Sequence, residues 1–156
     1  MKKYLDIVNE VHKSPYKLTI VSSGGGTNAI SALLEVPGAS NTILESHIPY
    51  SKESMNSFLN KKPDHYCSLD TCLNMAANAF KKSKQIDTTS KTKHLLGISI
   101  TANLATTYEK KGDHKFFIVV QAYDYTKYLE CFLDKGKRTR EEEEALITAY
   151  AISLIA

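Results

Sequence analysis

Residues 21–30 read VSSGGGTNAI and join two segments of different periodicity. Before them, YKLTIV is short and rich in β-branched residues, which is typical of a strand. After them, AISALLEV repeats its apolar residues at helical spacing. Such a junction has three interpretations: a tight turn with Ser or Thr capping the helix, an anion cradle of backbone N–H groups, or a serine nucleophile beside an oxyanion hole. The local residues leave all three open.

Length and composition predict one globular domain. The 156 residues, 42% hydrophobic and 24% charged, are enough to bury a core, so we expect a single domain over residues 1–156. The net charge of +3 is too small to favour a nucleic-acid partner, and no apolar run approaches the roughly 20 residues that span a bilayer. The start, MKKYLDIVNEVHK, carries Asp6 and Glu10 where a signal peptide would be apolar. We therefore predict an amphipathic helix there, and neither a membrane nor a nucleic-acid partner.

The cysteines favour a reducing environment. Three of them, an odd number, argue against a disulfide framework, so a cytoplasmic location is expected. Cys67 and Cys72 are five residues apart, which matches no common zinc spacing even with His65 close by. A buried thiol on a helix and a second thiol in a loop explain the pair better than a metal site. We predict neither a metal nor a cofactor.

The periodicity of apolar residues predicts helices that alternate with strands. Helices are expected at residues 2–13, 27–35, 51–59, 68–84 and 140–155, and strands at 17–22, 41–48, 94–101, 115–123 and 126–133, with a polar loop before residue 113. Strands separated by helices suit parallel pairing, whereas the last two strands share a short turn and suit antiparallel pairing. The predicted fold class is α/β, a three-layer α/β/α sandwich with a mixed sheet. Ligands of such sheets bind in loops at the carboxyl ends of strands, and VSSGGGTN is such a loop.

The starts of two helices carry capping signals. Ser68 is a predicted N-cap, and Thr139 with Glu142 has the spacing of a capping box. The four glutamates at 141–144 are interpreted as favourable dipole electrostatics on a solvated face.

Other charged residues have two interpretations each. Arg138 and Arg140 could bind phosphate, but pairing with the glutamates at 141–144 is at least as well supported. Asp113 and His114 could lie at a pocket rim, but a solvated turn before a strand is the preferred interpretation.

Residues 21–55, VSSGGGTNAISALLEVPGASNTILESHIPYSKESM, resemble the C-terminal domain of the CinA family, which includes bacterial nicotinamide mononucleotide deamidases. The family pattern is approximately AESCTGG, a helix, a VPGSS-like turn and a strand ending in YSNEAK. Ser23 falls on the family serine without gaps. TANLAT at residues 101–106 falls where the family has TGIAGP, and Arg140 lies near a family arginine, so the resemblance spans nearly the whole chain. VPGASNT, IPYS, TANLAT, GDHKFF and RTREEE are similar to a eukaryotic CinA-like branch in particular.

The resemblance implies a nucleotide site, with phosphate binding, at the glycine-rich turn. In the deamidases the serine attacks the nicotinamide carboxamide and releases ammonia, a lysine helps to activate it, and the turn and the TGIAGP loop hold the nucleotide. Ser23 is thus implied as the nucleophile, and the implied ligand-binding residues are Gly24, Gly25, Gly26, Thr27, Asn28, Tyr50, Thr101, Asn103 and Arg140. The implied partner is a small-molecule nucleotide such as nicotinamide mononucleotide, and the family leads us to expect a homo-oligomer.

The sequence departs from the family where catalysis depends on it. Met55 stands at the position of the family lysine and cannot take a proton, and TANLAT lacks both glycines and the proline of TGIAGP. Lys52, three positions earlier and nearly one helical turn away, is the candidate substitute base. Losing a general base costs orders of magnitude in rate.

Three functions therefore remain open. The first is a divergent CinA-like domain that binds a pyridine nucleotide with little or no amidase activity. The second is a working amidohydrolase that uses Ser23 with Lys52 as its base. The third is a non-catalytic module that binds a partner protein.

Overall fold

The computed structural model describes residues 4–104 and 114–156. Its helices are α1 (Leu5–Lys13), α2 (Thr27–Glu35), α3 (Lys52–Leu59), α4 (Leu69–Ile86) and α5 (Arg140–Ile155), and its strands are β1 (Lys17–Ser23), β2 (Ile43–His47), β3 (Leu95–Asn103), β4 (His114–Gln121) and β5 (Thr126–Leu133). The strands form one sheet in the order β2-β1-β3-β4-β5. β1 pairs in parallel with β2 and β3, whereas β4 is antiparallel to β3 and to β5. The predicted mixed sheet is confirmed, and the polar loop predicted before residue 113 lies mostly outside the described residues.

The two faces of the sheet pack against different helices. Because side chains alternate along a strand, Leu18 and Ile20 of β1 join the core beneath α2 and α5, while Val21 joins a cluster with α3 and α4. On the second face, Cys72 and Ala76 of α4 pack on the aromatic and aliphatic residues of β4. The predicted three-layer α/β/α sandwich is confirmed, with β1 and β3 at its centre.

Helix α4 lies very close to β3. A Cβ atom on Gly97 would overlap backbone atoms of Ala76 and Phe80 and would lie 2.6 Å from the Phe80 Cα. The Ser83 hydroxyl donates a 2.7 Å hydrogen bond to the Leu96 carbonyl oxygen and lies 2.9 Å from the Thr19 hydroxyl. Only glycine permits this approach, and the approach seats α4 against β1 and β3 together.

The capping signals are confirmed. The hydroxyl of Ser68 accepts a 3.1 Å hydrogen bond from the Thr71 N–H, and Thr139 and Glu142 form a complete capping box at the start of α5. Ser51 caps α3 in the same way. Over residues 4–104 and 114–156, no helix combines the length and the apolar character that crossing a membrane requires.

Candidate functional site

The sheet has a topological switch point between its two central strands. The chain leaves β1 towards β2 on one side and returns on the other side to form β3. Ser23, the last residue of β1, lies directly opposite Thr101 in the parallel register. Ser23 is 8% exposed and Thr101 is 2% exposed. Asn103, two residues after Thr101, ends β3. Crevices at such points are the usual ligand sites of open α/β sheets.

The turn after Ser23 depends on its glycines. Gly24 and Gly26 have φ values of +79° and +96°. Residues that carry a side chain rarely adopt such positive values. A Cβ on Gly24 would also overlap the Ala102 carbonyl oxygen of β3, so the turn lies directly against the neighbouring strand. The hydroxyl of Ser22 donates to the Gly25 carbonyl oxygen and closes the turn from within.

No Ser or Thr side chain caps α2, although that was one interpretation of the junction. The N-cap is Gly26, and its N–H donates to a carboxylate oxygen of Glu144, 2.8 Å away on α5. Arg140, one helical turn earlier, donates a 2.7 Å hydrogen bond to the Gly24 carbonyl oxygen and lies 3.9 Å from Glu144. Helix α5 therefore holds the turn through one cationic and one anionic side chain.

The interpretation of residues 141–144 as a solvated acidic face is wrong for two of them. Glu143 is fully buried and Glu144 has a side chain only 14% exposed. The Oε2 atom of Glu143 lies 3.2 Å from Nδ1 of His114. The first turns of α5 pack on the start of β4 and on the glycine turn, so these two carboxylates meet specific donors instead of water. The Arg140–Glu144 contact agrees with the expected pairing of charges within this segment.

His114 is not part of a solvated turn, contrary to the prediction. It is the first residue of β4, it is 7% exposed, and it faces Glu143. Burial of an ionisable residue requires a polar partner, and Glu143 supplies one. Asp113 lies outside the described residues.

Met55 lies inside the protein. It is 1% exposed and packs with Val21, Leu59, Met75 and the other apolar residues between β1 and helices α3 and α4. Val21 is two residues before Ser23 and therefore on the same side of β1. The position that corresponds to the family lysine thus forms part of the apolar layer below the Ser23 side of the strand.

Lys52 begins α3 and is exposed. Its ammonium group lies 5.9 Å from the ring centroid of Tyr66, a distance at which a cation is attracted to an aromatic face. Tyr66 donates a 2.8 Å hydrogen bond to Asn56, and its carbonyl oxygen accepts a 3.0 Å bond from Thr101. Tyr66 is therefore the residue that links Lys52 to the central strands.

Tyr66 was not predicted from the sequence. It lies in the irregular segment between α3 and α4, and no periodic pattern distinguishes it from other loop aromatics. A proline and polar residues precede it, which signals only a loop.

Three predicted ligand residues lie at the surface. Tyr50 is 72% exposed, just before the Ser51 cap. Thr27 and Asn28 are exposed in the first turn of α2, and Asn28 lines a groove of about 540 Å³ between α2 and α5. The structure thus places Ser23 beside Thr101 at the start of the glycine turn, and it brings Arg140 to the turn itself.

The cysteine interpretation is confirmed in its structural part. Cys72 is fully buried on α4, with its sulfur 3.1 Å from the Ser99 hydroxyl, and burial raises the pKa of this thiol to about 12. Cys67 is half-buried in the preceding loop, and its sulfur lies 4.0 Å from the Lys115 carbonyl oxygen. Within the described part of the chain, no three His, Cys, Asp or Glu side chains cluster as metal ligands.

The comparisons with known proteins identify the fold. Neither the protein-family models nor the curated proteins gave a match to the sequence. The structure matches CinA superfamily proteins from Klebsiella pneumoniae (TM-score 0.78, 13% identity, 98% of this chain and 93% of that one) and Escherichia coli (0.76, 14%, 98% and 87%). It also matches the competence/damage-inducible protein CihA from Agrobacterium tumefaciens, with a TM-score of 0.76 at 14% identity over 97% of this chain and 92% of that one. At these identities the likeness concerns the fold, and it extends over nearly all of each chain. This chain therefore has the fold of the CinA superfamily proteins.

Proposed function

We propose that the chain binds a nicotinamide nucleotide, or a closely related pyridine nucleotide, in the crevice beyond the carboxyl ends of β1 and β3, and that it has lost hydrolysis at Ser23. The observation that carries the binding is the position of Ser23 beside Thr101 at the switch point of the sheet. The CinA-like fold supports the choice of ligand, through the resemblance of residues 21–55 to the nicotinamide mononucleotide deamidases.

The chemistry at this edge suits a carboxamide. The hydroxyl of Ser23 and the side-chain amide of Asn103 provide both donors and acceptors at the ends of adjacent strands, and the hydroxyl of Thr101, which donates to Tyr66, provides an acceptor. Gly24 and Gly25 carry no side chain that would keep a planar group away from the backbone. A pyridine carboxamide can therefore approach the end of β1 closely.

The loss of hydrolysis follows from Met55. A serine hydroxyl is a weak nucleophile unless a base takes its proton. On the side of β1 that carries Ser23, the family lysine is replaced by a thioether that is 1% exposed among apolar neighbours. Removing a general base lowers the rate by about 10²–10⁴-fold.

A second candidate function has one observation in its favour. The Lys52 amine lies 5.9 Å from the centroid of the Tyr66 ring, and the Tyr66 carbonyl oxygen accepts from Thr101, the residue opposite Ser23. The described contacts thus connect Lys52 to the Ser23 edge of the sheet. The alternative is therefore a Ser23-dependent amidohydrolase with Lys52 as its base.

Calorimetric titration with nicotinamide mononucleotide tests the binding. We expect saturable binding by the unaltered chain and none by Gly25→Val, because a Cβ at Gly25 would already lie 2.8 Å from Leu104 Cδ1 and the larger side chain would cover the turn. Gly136→Ala is the control for a side chain added away from the turn, because its φ of +75° disfavours alanine but a Cβ there meets no atom within 4 Å. Circular dichroism establishes that both variants fold. The absence of binding by the unaltered chain, or equal loss in the two variants, contradicts the proposal.

A further inference from the structure

We infer that the carboxylate of Glu144 is the anion bound at the glycine turn, and that it determines which end of a ligand the turn accepts. Its carboxylate already accepts from the N–H of Gly26, the N-cap of α2, so the turn receives an uncharged group and the phosphate of a nucleotide stays outside it. The orientation of a nucleotide rests on the proposed function. The exclusion of phosphate from the turn does not.

The position of the carboxylate leaves little space for another anion. Oε1 of Glu144 accepts from the Gly26 N–H at 2.8 Å. Oε2 lies 3.3 Å from the point that a Cβ on Gly25 would occupy, so the carboxylate extends over two of the three glycines. A phosphate oxygen could reach the Gly26 N–H only by displacing Glu144.

Displacement would also uncouple Arg140. This guanidinium donates to the Gly24 carbonyl oxygen at 2.7 Å and lies 3.9 Å from Glu144. Its charge is thus already shared between the turn and the carboxylate. An incoming phosphate would have to compete with the Glu144 carboxylate, which the chain holds at high effective concentration. While Glu144 stays in place, the negative charges of the phosphate and the carboxylate would repel each other.

Glu144 is not needed for the dipole of its own helix. The capping box of Thr139 and Glu142 already satisfies the N-terminus of α5, and Glu141 adds a further carboxylate in the first turn. Glu144 lies one residue beyond that turn and is directed at a different helix, α2. Electrostatic stabilisation of α5 therefore does not explain its contact with Gly26.

The first test follows the Gly26 amide in ¹⁵N-resolved NMR spectra while inorganic phosphate is added. The unaltered chain should show no saturable change at this amide. Glu144→Ala empties the site, and Glu144→Gln keeps an acceptor for Gly26 without the charge, so both should gain a saturable shift, with the larger affinity in the alanine variant. Glu141→Gln removes the same charge from an exposed position of the same helix and should behave as the unaltered chain does.

Saturable phosphate binding at the Gly26 amide of the unaltered chain would overturn the inference, as would an equal gain in Glu141→Gln, which would indicate a general charge effect. The same spectra report whether each variant is folded. If Glu144→Ala does not fold, Glu144→Gln decides the question by itself, because it keeps the hydrogen bond.

The second test compares nicotinamide mononucleotide with its dephosphorylated nucleoside. The unaltered chain should bind the two with affinities within about threefold, and Glu144→Gln should strengthen binding of the mononucleotide alone, by about tenfold or more. A merely structural role of Glu144 would change both affinities together, and that result would contradict a role in selectivity. If neither compound binds any protein, the proposed function fails, whereas the phosphate titration still decides the occupancy of the turn.

Discussion

At the scale of single residues, the chemistry of this chain is set by a few side chains with specific partners. Glu143 and Glu144 are adjacent in sequence, yet one faces His114 and the other holds the Gly26 N–H. The sequence indicated an acidic helix start but not these partners, because Gly26 and Glu144 are 118 residues apart and no local pattern records such a contact. Helix geometry explains the division, since consecutive side chains project about 100° apart around the helix axis.

Removing the buried Glu143 carboxylate should destabilise the protein strongly. Glu143→Ala leaves His114 without this partner in a fully desolvated place, and breaking a buried pair typically costs about 3–5 kcal/mol. Urea denaturation followed by circular dichroism measures the change. Glu141→Ala on the exposed side of the same helix should change the unfolding free energy by no more than about 0.5 kcal/mol. Similar values for the two variants would contradict the importance of the buried pair.

The thiols should differ in reactivity. Because burial raises the pKa of Cys72 to about 12, this thiol stays protonated at pH 8.5, where alkylating reagents attack the thiolate. Cys67 and Cys131 are only half-buried. Mass spectrometry after iodoacetamide treatment of the folded protein should find Cys72 unmodified while the other two react more readily. Labelling in guanidinium chloride, where all three should react, is the control, and rapid native labelling of Cys72 would contradict its burial.

At the scale of elements, the helices and strands could be predicted because the spacing of apolar residues along the sequence indicates them. The strand before the glycines and the helix after them were predicted from their periodicity, and β1 (Lys17–Ser23) differs from the expected range by one residue. Helix α4 (Leu69–Ile86) ends two residues later than predicted. The contact of α5 with the glycine turn could not be predicted, because it depends on how α2 and α5 pack together on the face of the sheet opposite α4.

Gly97 should be intolerant of any side chain. Gly97→Ala forces α4 away from β3, because the added Cβ meets backbone atoms of Ala76 and Phe80 that cannot rotate aside. We expect a loss of about 3 kcal/mol in unfolding free energy. Gly136→Ala is the control: its φ of +75° is strained for alanine but nothing lies within 4 Å, so it should cost about 1 kcal/mol. Chemical denaturation measures both, and a Gly97→Ala loss no larger than the control would contradict the close approach.

The capping box of α5 should give the helix a pH dependence. Hydrogen bonds from the Thr139 backbone and side chain lower the pKa of Glu142. A carboxyl group with a lowered pKa in the folded state stabilises the fold above its unfolded pKa, and this contribution disappears as the pH falls through the folded value. Thr139→Ala should therefore lower the melting temperature at pH 7 more than at pH 3. An equal decrease at both pH values would contradict the coupling of the cap to the Glu142 charge.

At the scale of the whole molecule, a sandwich with the fold of the CinA superfamily proteins has a serine at the switch point of its sheet, and the buried Met55 lies in the apolar layer on the same side of β1. The fold was predictable because turns and core pattern are distributed along the entire sequence. The chemistry was less so, because it depends on whether Lys52 faces Ser23 or Tyr66, and the structure has it at the ring of Tyr66. Overall architecture and catalytic capacity are thus separate properties of this chain.

The loss of hydrolysis is most directly tested by measuring ammonia release from saturating nicotinamide mononucleotide, with Ser23→Ala as the control. We expect the unaltered chain to release ammonia no faster than Ser23→Ala does, because Met55 offers no base. Ammonia release that disappears in Ser23→Ala, and also in Lys52→Ala, would contradict this and would establish an amidohydrolase whose base has moved to Lys52.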